Sequence, residues 1–232
     1  MTQLLISVRN VEEALIALET SVDLIDLKDP ENGALGALDL KISEQILQLV
    51  KQYRQLNPAQ FPLTSATVGE NHMNFACLQK AINSRVEMGL DIIKVAVSDL
   101  LYEDFTINDF DQVKLIAVFF ADQSIDLSLL EKLKKSGFYG AMLDTQNKTQ
   151  NLLEICTLSN LKMFTQACQN QSLKSGLAGS LQPQHVEKLV DIYPSYIGFR
   201  GGVCENNSRI NELMPDKIVN MKNLLQQHNK LN

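Results

Sequence analysis

The stretch LLISVRNVEEALIALETSVDLIDLK, residues 4–28, decides the fold. It opens with a short apolar run, Leu4–Val8, and passes through Arg9 and Asn10. It continues over Val11–Leu18 with apolar residues at helical spacing and closes on a second run, Leu24–Lys28. Asn10 stands where an N-cap belongs, because its side-chain oxygen can accept a backbone N–H of the first turn. A strand, a helix and a second strand in direct succession describe a crossover, and a crossover joins parallel strands. An open doubly wound sheet would call for a GxGxxG turn after the first strand, and Val8-Arg9-Asn10 is no such turn.

Working outward, the same unit recurs. Further apolar runs lie at Leu63–Val68, Ile92–Val97, Leu115–Phe120, Gly140–Asp144, Leu173–Ala178 and Tyr196–Arg200, which makes eight candidate strands. Helical patterns fall between them at Ile42–Tyr53, Phe75–Met88, Leu127–Lys135, Asn151–Leu158 and Pro183–Val190, with Pro215–Gln227 after the last. Gly89 and Gly137 follow two of these as C′ residues, and the two prolines suit a first helical turn. Eight strand–helix units predict an α/β fold of the (β/α)₈ TIM-barrel type. Residues 1–232 read as one domain, because no Ser-rich, charge-rich or Pro/Gly-rich linker divides them.

Composition narrows the function. The formal charge is −6, from 21 basic and 27 acidic residues, so no excess of positive charge is available to displace counterions from nucleic acid. No apolar run is long enough to cross a bilayer, and the N-terminal run is too short for a signal peptide. A cytoplasmic protein without nucleic-acid or membrane partners is expected, with a homo-oligomer left open. Cys77, Cys156, Cys168 and Cys204 show no disulfide or zinc spacing and read as buried thiols. His72, His185 and His228 show no metal spacing either, so no metal site is expected.

In a barrel the active site lies at the C-terminal ends of the strands. Here those ends are charged or small and polar: Asp26 and Lys28, Ser65 and Thr67, Lys94, Asp122, Asp144, Gly179-Ser180, and Arg200-Gly201-Gly202, with Lys114 just before the fifth run. Strand side chains alternate, so Leu24, Asp26 and Lys28 share one face while Ile25 and Leu27 take the other. The outer face packs under helices and must be apolar. Asp26 and Lys28 therefore point into the barrel mouth, and Lys94 joins them by the same argument. A lysine there is either a fixed cation for phosphate or carboxylate, or an amine made nucleophilic by burial and a neighbouring cation. An Asp26–Lys28 or Asp144–Lys148 ion pair that only supports the barrel is the plainer alternative for any one pair. It explains less well why so many strands end in charge. The turns at Gly179-Ser180 and Arg200-Gly201-Gly202 follow the last two strands, where barrels bind phosphate on backbone N–H groups. Ser7, Ser65 and Thr67 add hydroxyls for the same purpose.

These residues carry a family resemblance. Val22–Pro30 (VDLIDLKDP) with Gly33–Ala37 (GALGA) resembles the signature of (5-formylfuran-3-yl)methyl phosphate synthase. The likeness continues in order through Ser65–Gly69, Asp91–Val95, Ala141–Thr145, Leu177–Ser180 and Gly198–Gly201. It implies a (β/α)₈ barrel that condenses two molecules of glyceraldehyde 3-phosphate, losing one phosphate and two waters, in the synthesis of methanofuran-type cofactors. It further implies Lys28 as the Schiff-base lysine and Lys94 as a second catalytic lysine, with Asp26, Lys114, Asp144 and Lys148 completing the site and no cofactor. Two departures fall near the mouth: Phe119 replaces a family glycine, and the segment after Arg200 is shorter. A class I aldolase, an Asp-x-Lys decarboxylase and a non-catalytic phosphometabolite-binding barrel are the alternatives.

Overall fold

The structure is a computed structural model, which describes residues 1–100 and 113–231. Among these, eight parallel strands close into a barrel in chain order. They are β1 (Gln3–Val8), β2 (Leu24–Leu27), β3 (Leu63–Thr67), β4 (Ile92–Ala96), β5 (Lys114–Phe120), β6 (Gly140–Asp144), β7 (Lys174–Leu177) and β8 (Tyr196–Phe199). Around them run α1 (Val11–Glu19), α2 (Leu40–Leu56), α3 (Phe75–Glu87), α4 (Leu129–Lys135), α5 (Leu152–Ile155), α6 (Leu158–Asn170), α7 (Val186–Val190) and α8 (Pro215–Leu231).

Strand alternation sorts the core into two parts. Leu4, Ile6, Val8, Ile25, Leu27, Ile93 and Val95 face outward and pack under the helices. Leu5, Leu24, Ile92, Ile116, Met142 and Tyr196 fill the barrel below the mouth. Gly176 makes room for the Tyr196 ring, since a Cβ there would come within 2.3 Å of it. Register then places the polar positions side by side. Ser7 lies beside Asp26, Asp26 beside Ser65, and Thr67 beside Lys94. β8 shuts the barrel against β1, with Phe199 beside Ile6.

The helix ends follow local chemistry. The Asn10 side chain accepts the Glu13 N–H at 2.8 Å, and Asn74 accepts the Cys77 N–H at 3.0 Å. Gly89 and Gly137 take positive φ after their helices, as C′ glycines do.

The region after β6 differs from the sequence expectation. One helix over Asn151–Leu158 was expected. The structure instead has a short α5 capped by Asn151, an extended Cys156, and a longer α6 that the Thr157 hydroxyl caps through the Asn160 N–H. Thr157 restarts the helix because its hydroxyl satisfies a first-turn donor that Cys156, buried and extended, leaves open. α6 buries Leu161, Phe164 and Cys168. Phe164 also settles the place of Phe119. The two rings meet edge to face at 6.1 Å, so Phe119 points outward under α6 and not into the mouth. Cys156, Cys168 and Cys204 are buried as expected, whereas Cys77 on α3 is exposed.

Candidate active site

The strand ends open into a cavity of about 220 Å³. At its floor Asp26 is buried and fully engaged. It accepts the Ser7 hydroxyl at 2.9 Å and the Ser65 hydroxyl at 2.7 Å, and it pairs with the Lys94 ammonium at 2.6 Å. The plainer alternative of an Asp26–Lys28 ion pair does not form; β4 brings Lys94 to Asp26 instead.

The second carboxylate is Asp144 at the end of β6. It pairs with Lys148 at 2.7 Å and with Lys28 at 3.4 Å, and it accepts the Thr145 N–H at 2.7 Å. Lys148 also donates to the Thr145 carbonyl. The segment that carries Lys148 is fixed by Asp122, whose carboxylate accepts the Gln146 and Asn147 N–H groups at 2.9 and 2.7 Å.

Three amines thus surround two carboxylates in a largely dry pocket, and their acidities follow. Burial lowers the pKa of Lys94; the Asp26 carboxylate opposes this, and the nearby Lys28 lowers it further. Burial lowers Lys148 in the same way, against Asp144 and with help from Lys28 and Arg209. Burial would raise the Asp144 carboxyl, but the Lys148 and Lys28 charges outweigh it and hold it well below the ordinary carboxylate range. Lys28 is the least restrained of the three amines. Its one carboxylate contact, at 3.4 Å, is the longest of the set, and its side-chain exposure, 12%, lies between the 3% of Lys94 and the 20% of Lys148.

The β2–α2 segment borders the mouth. Gly33 takes φ +85°, and a Cβ on Gly36 would come within 2.3 Å of the Asp29 carbonyl, so the GALGA run folds tightly back on itself. Thr67 belongs to this loop and not to a ligand. Its hydroxyl, fully buried, donates to the Gly36 carbonyl at 2.8 Å. Ser65 is also withdrawn from the cavity lining, its proton committed to Asp26. Ser7 does line the cavity, yet its hydroxyl serves Asp26 as well.

Gly179, Ser180 and Gly201 line the opposite wall. Gly179 has φ +116° and sits where a Cβ would strike Thr145 at 2.7 Å. The N–H groups of Gly179, Ser180 and Gly201 find no acceptor among the described residues. Gly202 plays a different part from the one expected. It does not line the cavity, and its missing Cβ lets the β8 turn close on the Leu181 carbonyl at the β7 turn.

Two cations are not where the sequence suggested. Lys114 opens β5, so it lies at the far end of the barrel from the mouth, with its ammonium 4.9 Å from the Tyr139 ring centre. Position before the strand, rather than after it, is the physical reason. Arg200 reaches the mouth only through its backbone. Its guanidinium grips Glu13 of α1 through both Nη atoms and donates to the carbonyls of Ser7, Arg209 and Asn211. All five donors are therefore used within the fold, and none is left for phosphate. Sequence reasoning did not find Glu13, which looked like an ordinary first-turn acid, nor Arg209 and Asn207, which line the cavity from a loop without motif. His72 is also accounted for: its Nδ1 lies 2.7 Å from Asp99.

Comparison with known proteins gives the chain's family and fold. The chain is 35% identical over 211 residues to a relative from Methylorubrum extorquens, covering 89% of this chain and 84% of the relative. It is 29% identical over 240 residues to the (5-formylfuran-3-yl)methyl phosphate synthase of Methanothermobacter thermautotrophicus, covering 96% and 98%. Solved structures with the same fold include phosphoribosyl anthranilate isomerase from Thermus thermophilus. That likeness has a TM-score of 0.66 at 12% identity, over 97% of this chain and 99% of the other. Another is 3-hexulose-6-phosphate synthase from Salmonella typhimurium, with a TM-score of 0.63 at 13% identity, over 98% and 100%. The family model of 4-HFC-P synthase matches residues 4–222, and the chain belongs to that family.

Proposed function

We propose that this chain makes (5-formylfuran-3-yl)methyl phosphate by joining two molecules of glyceraldehyde 3-phosphate on a Lys28 imine, with loss of one phosphate and two waters. Among the residues, the observation that carries the mechanism is the unequal restraint of the three amines. Lys94 is locked to Asp26 and Lys148 to Asp144, while Lys28 is held only loosely and faces the cavity. An amine that must attack a carbonyl has to be free to move; amines that pass protons do not.

The Lys28 amine adds to a substrate aldehyde, and water leaves to give the imine. The protonated imine withdraws electrons and acidifies the adjacent carbon, so a nearby base can take its proton and leave an enamine. Lys94 suits that task because burial brings its pKa toward the working range. The enamine's electron pair expels phosphate from the neighbouring carbon and leaves an unsaturated imine, and a second proton abstraction, from the other triose phosphate, supplies the pair for the carbon–carbon bond. Asp144 and Lys148 stand beside Lys28 and can move protons as the ring closes and water departs. The free N–H groups of Gly179, Ser180 and Gly201 suit a phosphate oxygen.

The test is direct. Purified protein incubated with glyceraldehyde 3-phosphate should develop a furan-aldehyde absorbance and release one phosphate for every two substrates consumed. Borohydride added during turnover should attach a triose adduct at Lys28. A furan product without any borohydride-stable adduct would remove the imine from the mechanism.

A further inference from the structure

The wall that Arg200 does not supply is supplied by Arg209. Two triose phosphates bring two dianionic groups, and their mutual repulsion requires two separate stations. The Gly179, Ser180 and Gly201 turns offer one, made of backbone N–H groups. Among the cations lining the cavity, Lys94 and Lys148 are committed to carboxylates, Lys28 is the amine proposed to react, and the Arg200 guanidinium is saturated. Arg209 differs from all of them. It lines the cavity, and its one hydrogen bond among the described residues runs from Nη2 to the Gly33 carbonyl at 2.7 Å. Four of its five donors remain for a ligand.

Its surroundings fit an anion site. The charges that act on Arg209 are those of Asp144, Arg200 and Asp29, which places it on the Asp144–Lys148 side of the mouth. With Arg200 set against Glu13, the other lining cations, Lys28, Lys94, Lys148 and Arg209, face two carboxylates on the lining, Asp26 and Asp144, which leaves an excess of two positive charges in a chain of formal charge −6. The loop is also held in place: Arg200 donates to the carbonyls of Arg209 and Asn211 at 2.7 and 3.1 Å, and Arg200 is itself anchored on buried Glu13. A planar guanidinium presented this way can take two phosphate oxygens at once.

We propose that Arg209 is the second phosphate anchor, which takes the phosphoryl group of one triose phosphate while the β7 and β8 turns take the other; this rests on the two-substrate reaction proposed above. Binding of inorganic phosphate, followed by isothermal titration calorimetry, tests it without turnover. Wild type should bind two phosphates per chain, and Arg209→Gln should bind one with an unchanged melting temperature. Arg209→Lys should restore the second site partly. In assays with glyceraldehyde 3-phosphate, Arg209→Gln should raise the half-saturating concentration roughly ten- to a hundredfold, the usual worth of a hydrogen bond to a charged group. Borohydride trapping with unphosphorylated glyceraldehyde should be unaffected in the same variant. Equal phosphate stoichiometry and affinity in wild type and Arg209→Gln would overturn the proposal. So would an equal loss of trapping with the phosphorylated and unphosphorylated aldehydes, since Arg209 would then be only a strap across Gly33. If no furan forms but the second phosphate still depends on Arg209, the reaction proposed above fails and the anchor stands.

Discussion

The strand ends of β2, β4 and β6 and the loop after β8 contribute to one cavity, yet they are built on different principles. At the strand ends each charged side chain points where alternation sends it, and the carboxylates meet the lysines across the barrel mouth, β2 with β4 and β2 with β6. In the loop after β8 the residue that looked functional, Arg200, turns back into the fold, and Arg209 faces the cavity. A strand dictates direction through its pleat, and a loop dictates none until its hydrogen bonds are known. Charge within a strand is thus strong grounds for a role in the site, and charge just past one is weaker, since Lys28 and Arg200 each follow a strand by one residue and the Arg200 guanidinium turns back into the fold.

The sharpest way to break this contrast is Lys28→Arg. Arginine keeps the charge beside Asp144 but cannot form an imine at neutral pH. Turnover should fall by roughly a thousandfold or more, as loss of a covalent nucleophile does, and borohydride trapping should vanish with the fold intact by circular dichroism. Activity near wild type would move the nucleophile to another lysine.

Arg200→Ala probes the other region. It should leave buried Glu13 with Arg9 alone, at 3.2 Å, and cost about 2–3 kcal/mol in urea unfolding, less than the roughly 3–5 kcal/mol of a buried charge left with no partner. Glu13→Gln combined with Arg200→Ala should recover part of that loss. If Arg200→Ala instead left stability unchanged and abolished only phosphate binding, Arg200 would be a ligand after all and the contrast would collapse.

Acid titration sharpens the strand-end side. The Asp144 carboxyl lies below its ordinary range in the folded chain because Lys148 and Lys28 overcome the effect of its burial. The unfolded chain therefore takes up its proton first as pH falls. The stability this group contributes is whole above the ordinary aspartate range and drains away as pH drops through and below it. Urea midpoints measured at pH 6 and pH 3 should fall less in Asp144→Asn than in wild type. Equal falls would mean that the Lys148 and Lys28 contacts do not persist in solution.

The smallest effect is expected from Phe119→Leu. The ring packs on Phe164 outside the barrel, so the change should cost about 1 kcal/mol, because Leu keeps an apolar side chain of similar length against α6. Half-saturation by substrate should not move. A changed half-saturation would return Phe119 to the mouth.

These contrasts also mark what the sequence reveals. The barrel was legible because its eight apolar runs have the length and period of buried parallel strands, and Asp26, Lys28, Lys94 and Asp144 were legible because strand parity fixes which way they point. The α5–α6 break was not, since it turns on one threonine hydroxyl and an extended cysteine that no periodicity announces. The place of Lys114 was legible as well, since a residue that precedes a strand lies at its N-terminal end, away from the mouth; only the family resemblance drew it into the site. Ser65 and Thr67 misled because a hydroxyl serves a carboxylate or a carbonyl as readily as a substrate. Arg209 stayed hidden because its placement depends on Arg200, Glu13 and Gly33, three partners scattered along the chain.

The Glu13–Arg200 pair joins residues 187 positions apart, across the seam where β8 meets β1. Closing so long a loop costs chain entropy that local contacts do not, so such a pair forms late. During synthesis the carboxylates and lysines of β2, β4 and β6 emerge well before Arg200 does, and N-terminal segments fold as they appear. The loop that carries Arg209 cannot be seated until Arg200 has found Glu13. A nascent or truncated barrel thus has its strand-end lysines and carboxylates in place before it has the Glu13–Arg200 tie that holds the Arg209 carbonyl.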